Sequence, residues 1–471
     1  MPESQTDLAW DLVLDLGSPA GGALHERVER ALRTAIREGR IRSGQVLPPS
    51  RALAGDLGCS RWAVTEAYGQ LVAEGYLEAR TGSGTRVSWT GGGITDGPGH
   101  DVERDPAPRF DLRPGLPDLR AFPRRRWAEA VRSQSGTVAF TEFGFPDQNG
   151  HPRLRHLLAE YLRRARGVST TGRDVLVCSS VTDGVRRLCR VLAEDGVTAV
   201  GCEEPGWTRL RQSVGATGMA TVPIPVDDGG LRVDDLARHP GLRAVIVTPA
   251  HQFPTGTVLA PERRAALLRW AHDVDGVILE DDYDAEFRYD RRPVGTLQGL
   301  DPARVVLFGS LSKMMSPALG IGWAVAPPRW GRRLREIGPP SGPPPTLDQL
   351  AFAELLTSGG YERHLRRCRQ RYRNRRDALV AALSRELPTA TLSGIAAGLH
   401  VVLQLPGGPD AAAVVAAASA RSVAVAALAG YHAVGELAAP ETALVLGYGN
   451  LADTGVDDAV EQLAAAIRAA G

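Results

Sequence analysis

The chain is nearly devoid of lysine: of 55 basic residues only Lys313 is lysine, and every other one is arginine. Arginine replaces lysine in surface ion pairs and phosphate contacts, but it stays protonated near neutral pH and cannot form an imine. The one lysine retained is therefore a candidate nucleophile, provided its surroundings support that role. Cysteine is also scarce. Cys59, Cys178, Cys189, Cys202 and Cys368 are odd in number, scattered and free of any C-x-x-C pair, which argues against a structural zinc site and for a reducing cytoplasm. No run of about 18 apolar residues is present to span a bilayer, and the N-terminal MPESQTDLAWDLVLDL lacks the basic-then-apolar order of a signal peptide, so export is not expected. With a net charge of only +1, any nucleic-acid surface has to be local.

At 471 residues the chain exceeds what one core usually organises, and two or three domains are expected. From Leu24, the apolar residues Leu24, Val28, Ala31, Leu32, Ala35 and Ile36 recur at helical spacing until the Gly39 region. Pro48 and Pro49 then open a short helix carrying Leu53 and Leu57, Gly58 turns the chain, and Ser60 is a natural N-cap for a second helix. The inner face of that helix reads Val64, Ala67, Tyr68, Leu71 and Val72, with Gly75 as its stop. Two short helices around a glycine form a helix-turn-helix, and YLEARTGSGTRV reads as a two-stranded wing. Between Gly21 and Arg86 ten arginines face seven acidic residues, so position rather than bulk charge carries the DNA-binding expectation. Arg51 and Arg61 stand near the start of each helix, where side chains reach phosphates or base edges.

Residues 88–109 are Gly-, Pro- and Asp-rich without apolar periodicity, the signature of a linker after a DNA-binding domain at 10–87. Beyond it, helical stretches such as LRHLLAEYLRRAR and PERRAALLRWAHD alternate with the apolar runs VTAVGC, RAVIVT, GVILED and RVVLFGS. This pattern predicts a mainly parallel α/β sheet covered on both faces over 110–471, with a smaller α+β subdomain from about 347.

Ligands in open α/β sheets sit at the carboxyl ends of the strands. Lys313 follows the apolar run Val305 to Phe308, and Glu280-Asp281-Asp282-Tyr283-Asp284 follows Val277 to Leu279. An aldehyde cofactor held covalently needs a lysine, and an electron-withdrawing pyridine needs a carboxylate at its ring nitrogen. Lys313 and Asp281 meet those needs, Tyr283 is placed to bond the ring hydroxyl, and Ser310 and Ser312 offer hydroxyls for a phosphate.

EDDYDAEFRYD, TPAHQFPTG and GSLSKMMSP resemble the signature segments of fold-type I aminotransferases that use pyridoxal 5′-phosphate (PLP). More narrowly, LPPSRALAGDLGCSRWAVTEAYGQLVAEGYL with GSGTRV, HPRLRHLLAEYLRRARGV, EEPGW and GLHVVLQL resemble the MocR/GabR-type branch of the GntR regulators, from about residue 10 to the C-terminus. The resemblance implies a winged helix-turn-helix fused to an aminotransferase-like domain, a cytoplasmic head-to-tail homodimer, and binding to double-stranded operator DNA under control of an amine or amino-acid effector. It implies Arg51, Ser60, Arg61, Thr65 and Gly82 as DNA contacts. Around PLP it implies Lys313, Asp281 and Tyr283, with Trp207 stacked on the ring, Arg209 near the ligand, and Ser180, Thr182, Ser310 and Ser312 as further contacts.

Two departures stand out. Gly320 occupies the place of the arginine that helps hold the PLP phosphate, and ALVLGYG lacks the arginine with which aminotransferases seize a substrate carboxylate. The first predicts PLP affinity weakened by one to two decades, from loss of a charged contact of about 1.5–3 kcal/mol. The second weighs against transaminase turnover. Three readings stay open: a PLP-dependent regulator, which is favoured, a working aminotransferase with a DNA-binding appendage, and a regulator that has lost PLP.

Overall fold

The computed structural model describes residues 14–17, 22–80, 84–91, 107–289, 294–339, 342–394, 396–433 and 442–471. The chain divides into two compact units, residues 1–106 and 107–471. Most of the expected linker, residues 92–106, lies outside the described residues.

The first unit runs α1 (Leu24–Arg37), β1 (Val46–Leu47), α2 (Ser50–Asp56), α3 (Arg61–Ala73), β2 (Leu77–Arg80) and β3 (Gly84–Val87). Val28, Ala31, Leu32, Ala35 and Ile36 of α1 are buried, whereas Leu24, at the helix's first residue, is exposed. The side chain of Ser60 caps α3 by accepting the Ala63 amide at 3.2 Å, and Val64, Ala67, Tyr68 and Leu71 face the core. Val72, expected on that inner face, is 37% exposed: it stands roughly 100° round the helix from Leu71, at the edge of the apolar stripe. The Tyr68 hydroxyl donates to the Pro48 carbonyl at 2.9 Å, fastening α3 to the chain before α2. The wing is three-stranded, because β1 pairs with β3 on the side away from β2. The wing tip, with Gly82, lies outside the described residues.

In the second unit, eight strands form one sheet: β4 (Val175–Cys178), β5 (Ala199–Glu204), β6 (Ala220–Asp227), β7 (Gly230–Leu231), β8 (Ala244–Val247), β9 (Val277–Asp281), β10 (Val305–Ser310) and β11 (Gly322–Val325). Their order is β4-β11-β10-β9-β8-β5-β6-β7. β10, β9, β8, β5 and β6 are parallel neighbours, and β11 runs against both β4 and β10. Both faces are buried. Val277 and Leu279 enter one apolar core while Ile278 enters another on the opposite face, which is why these strands read as continuous apolar runs rather than alternating ones. α4 (Arg124–Thr137) precedes the sheet, and the helices that cover it include α5 (Pro152–Arg166), α6 (Val181–Glu194) and α7 (Pro261–Asp273).

The C-terminal part adds the long α8 (Gly360–Glu386), the antiparallel strands β12 (Thr391–Ser393), β13 (His400–Leu405), β14 (Ala426–Ala427) and β15 (Thr442–Gly447), and α9 (Val456–Ala470). It recruits residues from ahead of the large sheet: Phe110–Asp111 pairs with Val423–Ala424, and Phe110 and Leu112 join the core around α9. The Gly447 amide donates to the Leu112 carbonyl at 2.6 Å, and a Cβ on Gly447 would lie 2.4 Å from the Arg113 carbonyl oxygen. Only glycine lets the 112–115 segment pass this close, and that segment delivers Gly115 to Lys313. Among the described residues no helix is long and apolar enough to cross a membrane.

Ser60→Ala removes the α3 cap and is expected to cost about 1 kcal/mol. Hydrogen exchange on the full chain should show amides of residues 61–73 opening roughly fivefold more often, with those of β9 and β10 unchanged.

Candidate functional site

β9 and β10 lie side by side with Asp281 level with Phe308, so both strands release their functional residues at the same edge of the sheet. Lys313 follows in a single helical turn, Leu311–Met314, whose N-cap Ser310 accepts the Ser312 amide at 3.4 Å. The Lys313 ammonium donates to the Gly115 carbonyl. Burial pulls Lys313 below the usual lysine range, against the attraction of Asp281 and Asp284, and Arg209 lowers it further. Asp281 is buried and pushed up to about 8, by burial and the neighbouring Asp282 charge, with Lys313 opposing. Its Oδ1 is buried with no hydrogen-bond partner. A protonated ring nitrogen is the donor that this atom lacks, and on that ground the residues fit PLP.

The acidic run is not a solvated turn. Glu280, Asp281, Asp282, Asp284 and Glu286 are all buried, none more than 8% exposed, and all but Asp281 have a polar partner. Glu280 accepts the Leu297 and Gln298 amides, each at 2.9 Å. Asp282 takes both arms of Arg166 from α5 at 2.7 and 2.8 Å. Glu286 accepts the Tyr161 hydroxyl at 3.1 Å. Asp284 meets His251 Nδ1 at 2.9 Å, and the same nitrogen lies 3.0 Å from the Tyr283 hydroxyl. The Tyr283 hydroxyl is thus held by the His251 ring and by a hydrogen bond to Asp284. Burial, with Asp284 and Asp281 nearby, holds that phenol well above its ordinary range, so Tyr283 is a donor.

Next to the lysine turn, Ser310 pairs with Gly322 in the sheet, Gly322 pairs with Cys178, and a Cβ on Gly322 would lie 3.2 Å from the Ser180 backbone. This register brings Ser180 beside Ser310. Ser180 caps α6 by accepting the Asp183 amide at 3.1 Å and lies 2.9 Å from the Thr182 hydroxyl. Hydroxyls at a helix N-terminus are donors of the kind an anion takes. Gly320 is left-handed at φ +56°, and a side chain there would enter open space. Trp207 is half-buried and lines a small cavity with Glu203, Thr248 and Phe253, and Arg209 is exposed yet within electrostatic reach of Lys313.

Sequence reasoning missed His251, Arg166, Glu203 and Gln252. Glu203, pushed by burial to about 7, accepts the Thr248 amide at 3.1 Å and the Gln252 amide group at 3.2 Å. His251 and Gln252 lie within TPAHQFPTG, the only signal that could have singled them out.

In the first unit Arg51, Ser60, Arg61 and Thr65 are all exposed around the start of α2 and of α3. The Thr65 hydroxyl donates to the Arg61 carbonyl at 2.9 Å, and Ser60 is engaged as the cap. Trp62, passed over in the sequence, is 63% exposed beside Arg61, edge-on to His25.

Residues 24–87 match the family described as bacterial regulatory proteins, gntR family, and residues 118–431 match aminotransferase class I and II. The probable rhizopine catabolism regulatory protein MocR of Rhizobium meliloti is 34% identical, over 83% of each chain. The HTH-type pyridoxine biosynthesis transcriptional regulator PdxR of Corynebacterium glutamicum is 33% identical, over 83% of this chain and 86% of its own. Among solved structures, an archaeal alanine:glyoxylate aminotransferase covers 76% of this chain and 91% of its own, with a TM-score of 0.70 at 24% identity, a likeness of fold.

Asp281, pushed up to about 8, and Glu280, to about 7, hold protons in the folded chain that the unfolded chain releases near pH 4. Their stabilising contribution is complete below about pH 4 and is lost as pH rises through about 7 to 8. Asp281→Asn keeps the shape and cannot ionise, so the PLP-free variant should gain stability on the wild type between about pH 5 and 9. Urea midpoints across that range check this, and parallel curves would contradict it.

Proposed function

Because the chain belongs to the MocR-type GntR regulators, a winged helix-turn-helix joined to an aminotransferase class I and II domain, we propose that an amine or amino acid meeting PLP at Lys313 controls its hold on operator DNA. The observation that carries this reading is the buried, partnerless Asp281 Oδ1 beside Lys313. Asp281 would hold the ring nitrogen, Tyr283 its hydroxyl and Trp207 its face, with Ser180, Thr182, Ser310 and Ser312 around the phosphate and Arg209 toward the ligand. Bound there, the cofactor supplies an aldehyde that exchanges one primary amine for another. Lys313 is suited to that exchange, because its lowered proton affinity keeps more of the amine neutral and nucleophilic. Tyr283 holds its proton, and His251 with Asp284 fixes the position of its hydroxyl.

On the DNA side the reading takes Arg51, Ser60, Arg61, Thr65 and Gly82 as contacts, in the cytoplasm. It takes the assembly to be a head-to-tail homodimer. Phe140 and Phe143, 86% and 59% exposed, and the wholly exposed Phe145 supply an apolar surface of the kind a second copy covers. The effector acts by binding two arrangements of the DNA-binding heads with different affinity.

The deciding measurement is the visible spectrum with added PLP, before and after borohydride reduction, with peptide mapping. A band trapped on Lys313 supports the reading, and none at saturating PLP overturns it. Lys313→Ala should lose the trapped adduct and keep operator binding, whereas Arg61→Ala should do the reverse, and loss of both properties in either variant would contradict separate sites. Gly320→Arg should tighten PLP by one to two decades while lowering stability by about 1–2 kcal/mol, because the left-handed backbone strains free and bound forms alike. Titration and thermal unfolding read the two effects separately.

A further inference from the structure

A cavity of about 1000 Å³ opens between the first turn of α4 and one flank of α8. Arg124, Arg125 and Arg126 line it from α4, and Arg367, Arg371 and Arg375 from α8, with Arg120 beside them; Asp453 is the one acidic residue in the lining. Some of this charge is already met. Arg375 is buried between Asp118 at 2.9 Å and Asp453 at 2.6 Å, Arg371 reaches the same pair at 3.2 and 3.5 Å, and Arg120 reaches Asp118 at 3.4 Å. Arg125 has Glu129 at 3.6 Å. Among the described residues no carboxylate lies within ion-pair distance of Arg124, Arg126 or Arg367.

The local backbone adds to this excess. α4 begins after Pro123 with no side-chain cap and no acidic residue in its first turn. The Arg124 amide donates back to the Phe122 carbonyl at 2.8 Å, which leaves the Arg125 and Arg126 amides and the positive end of the dipole at the same end of the helix as three consecutive guanidinium groups. Helix starts ordinarily carry carboxylates, and arginines there repel the dipole unless an anion intervenes. A cavity this large suits a small molecule rather than a lone phosphate, and guanidinium groups from two helices suit several anionic oxygens at once.

We propose that this cavity is an anion-binding site, distinct from the Lys313 site, for a small multivalent anion bearing clustered phosphoryl or carboxylate groups. Its wall touches the lysine turn through His364, whose Nε2 lies 2.9 Å from the Met314 carbonyl.

Calorimetric titration of the full chain, free of PLP, with tripolyphosphate and separately with citrate tests this. Binding of at least one is expected, and tripolyphosphate alone or citrate alone assigns the phosphoryl or the carboxylate class. Arg124→Gln/Arg126→Gln/Arg367→Gln should raise the dissociation constant at least tenfold, and Arg367→Gln alone should raise it severalfold. Arg269→Gln/Arg468→Gln, which removes the same kind of exposed charge elsewhere, should leave it unchanged. No binding of either anion, or equal weakening in the cavity variant and the control, would overturn the proposal.

Discussion

The second unit is organised around a buried ion pair, Arg166 with Asp282, both nearly sealed from solvent. Removing either partner of such a pair strands the other charge at a cost of about 3–5 kcal/mol, so the chain at the end of β9 cannot rotate without large loss. Strand alternation does the rest. With Asp282 and Glu280 drawn to one side by Arg166 and the Leu297 and Gln298 amides, Asp281 and Tyr283 are left on the other, facing Lys313 and His251. The chemistry of the site follows from where its neighbours are tied.

That arrangement leaves two groups away from their ordinary protonation. Burial lowers the lysine and raises the aspartate, and each charge would relieve the other only in part. A polar site poised this way is costly when empty and is relieved by a ligand that brings a donor to Asp281.

The architecture was largely legible because its signals are local. The helix-turn-helix declared itself through Ser60 and glycine punctuation, and the strands through short apolar runs. The nearness of Lys313 and Asp281 followed from one residue ending a buried strand and the other lying just past its neighbour. What stayed hidden was long-range. Nothing near Arg166 announces that it meets Asp282 116 residues later, and Val72 shows how an apolar residue at the stripe's edge turns outward. His251 sits within TPAHQFPTG, yet its partners Tyr283 and Asp284 come from another strand end. Phe110 and Leu112 entering the C-terminal core could not be anticipated from position, since only the folded topology brings the start and the end of the second unit together.

The solitary lysine has a practical consequence. An amine-directed reagent meets one side-chain target in the whole chain, and a lysine-specific protease has one bond to cut, between Lys313 and Met314. That bond lies in a half-buried turn held by Gly115, so cleavage at that single position reports directly on whether the turn is open, closed or chemically capped. The protein thus carries an intrinsic single-site reporter in the turn that follows β10.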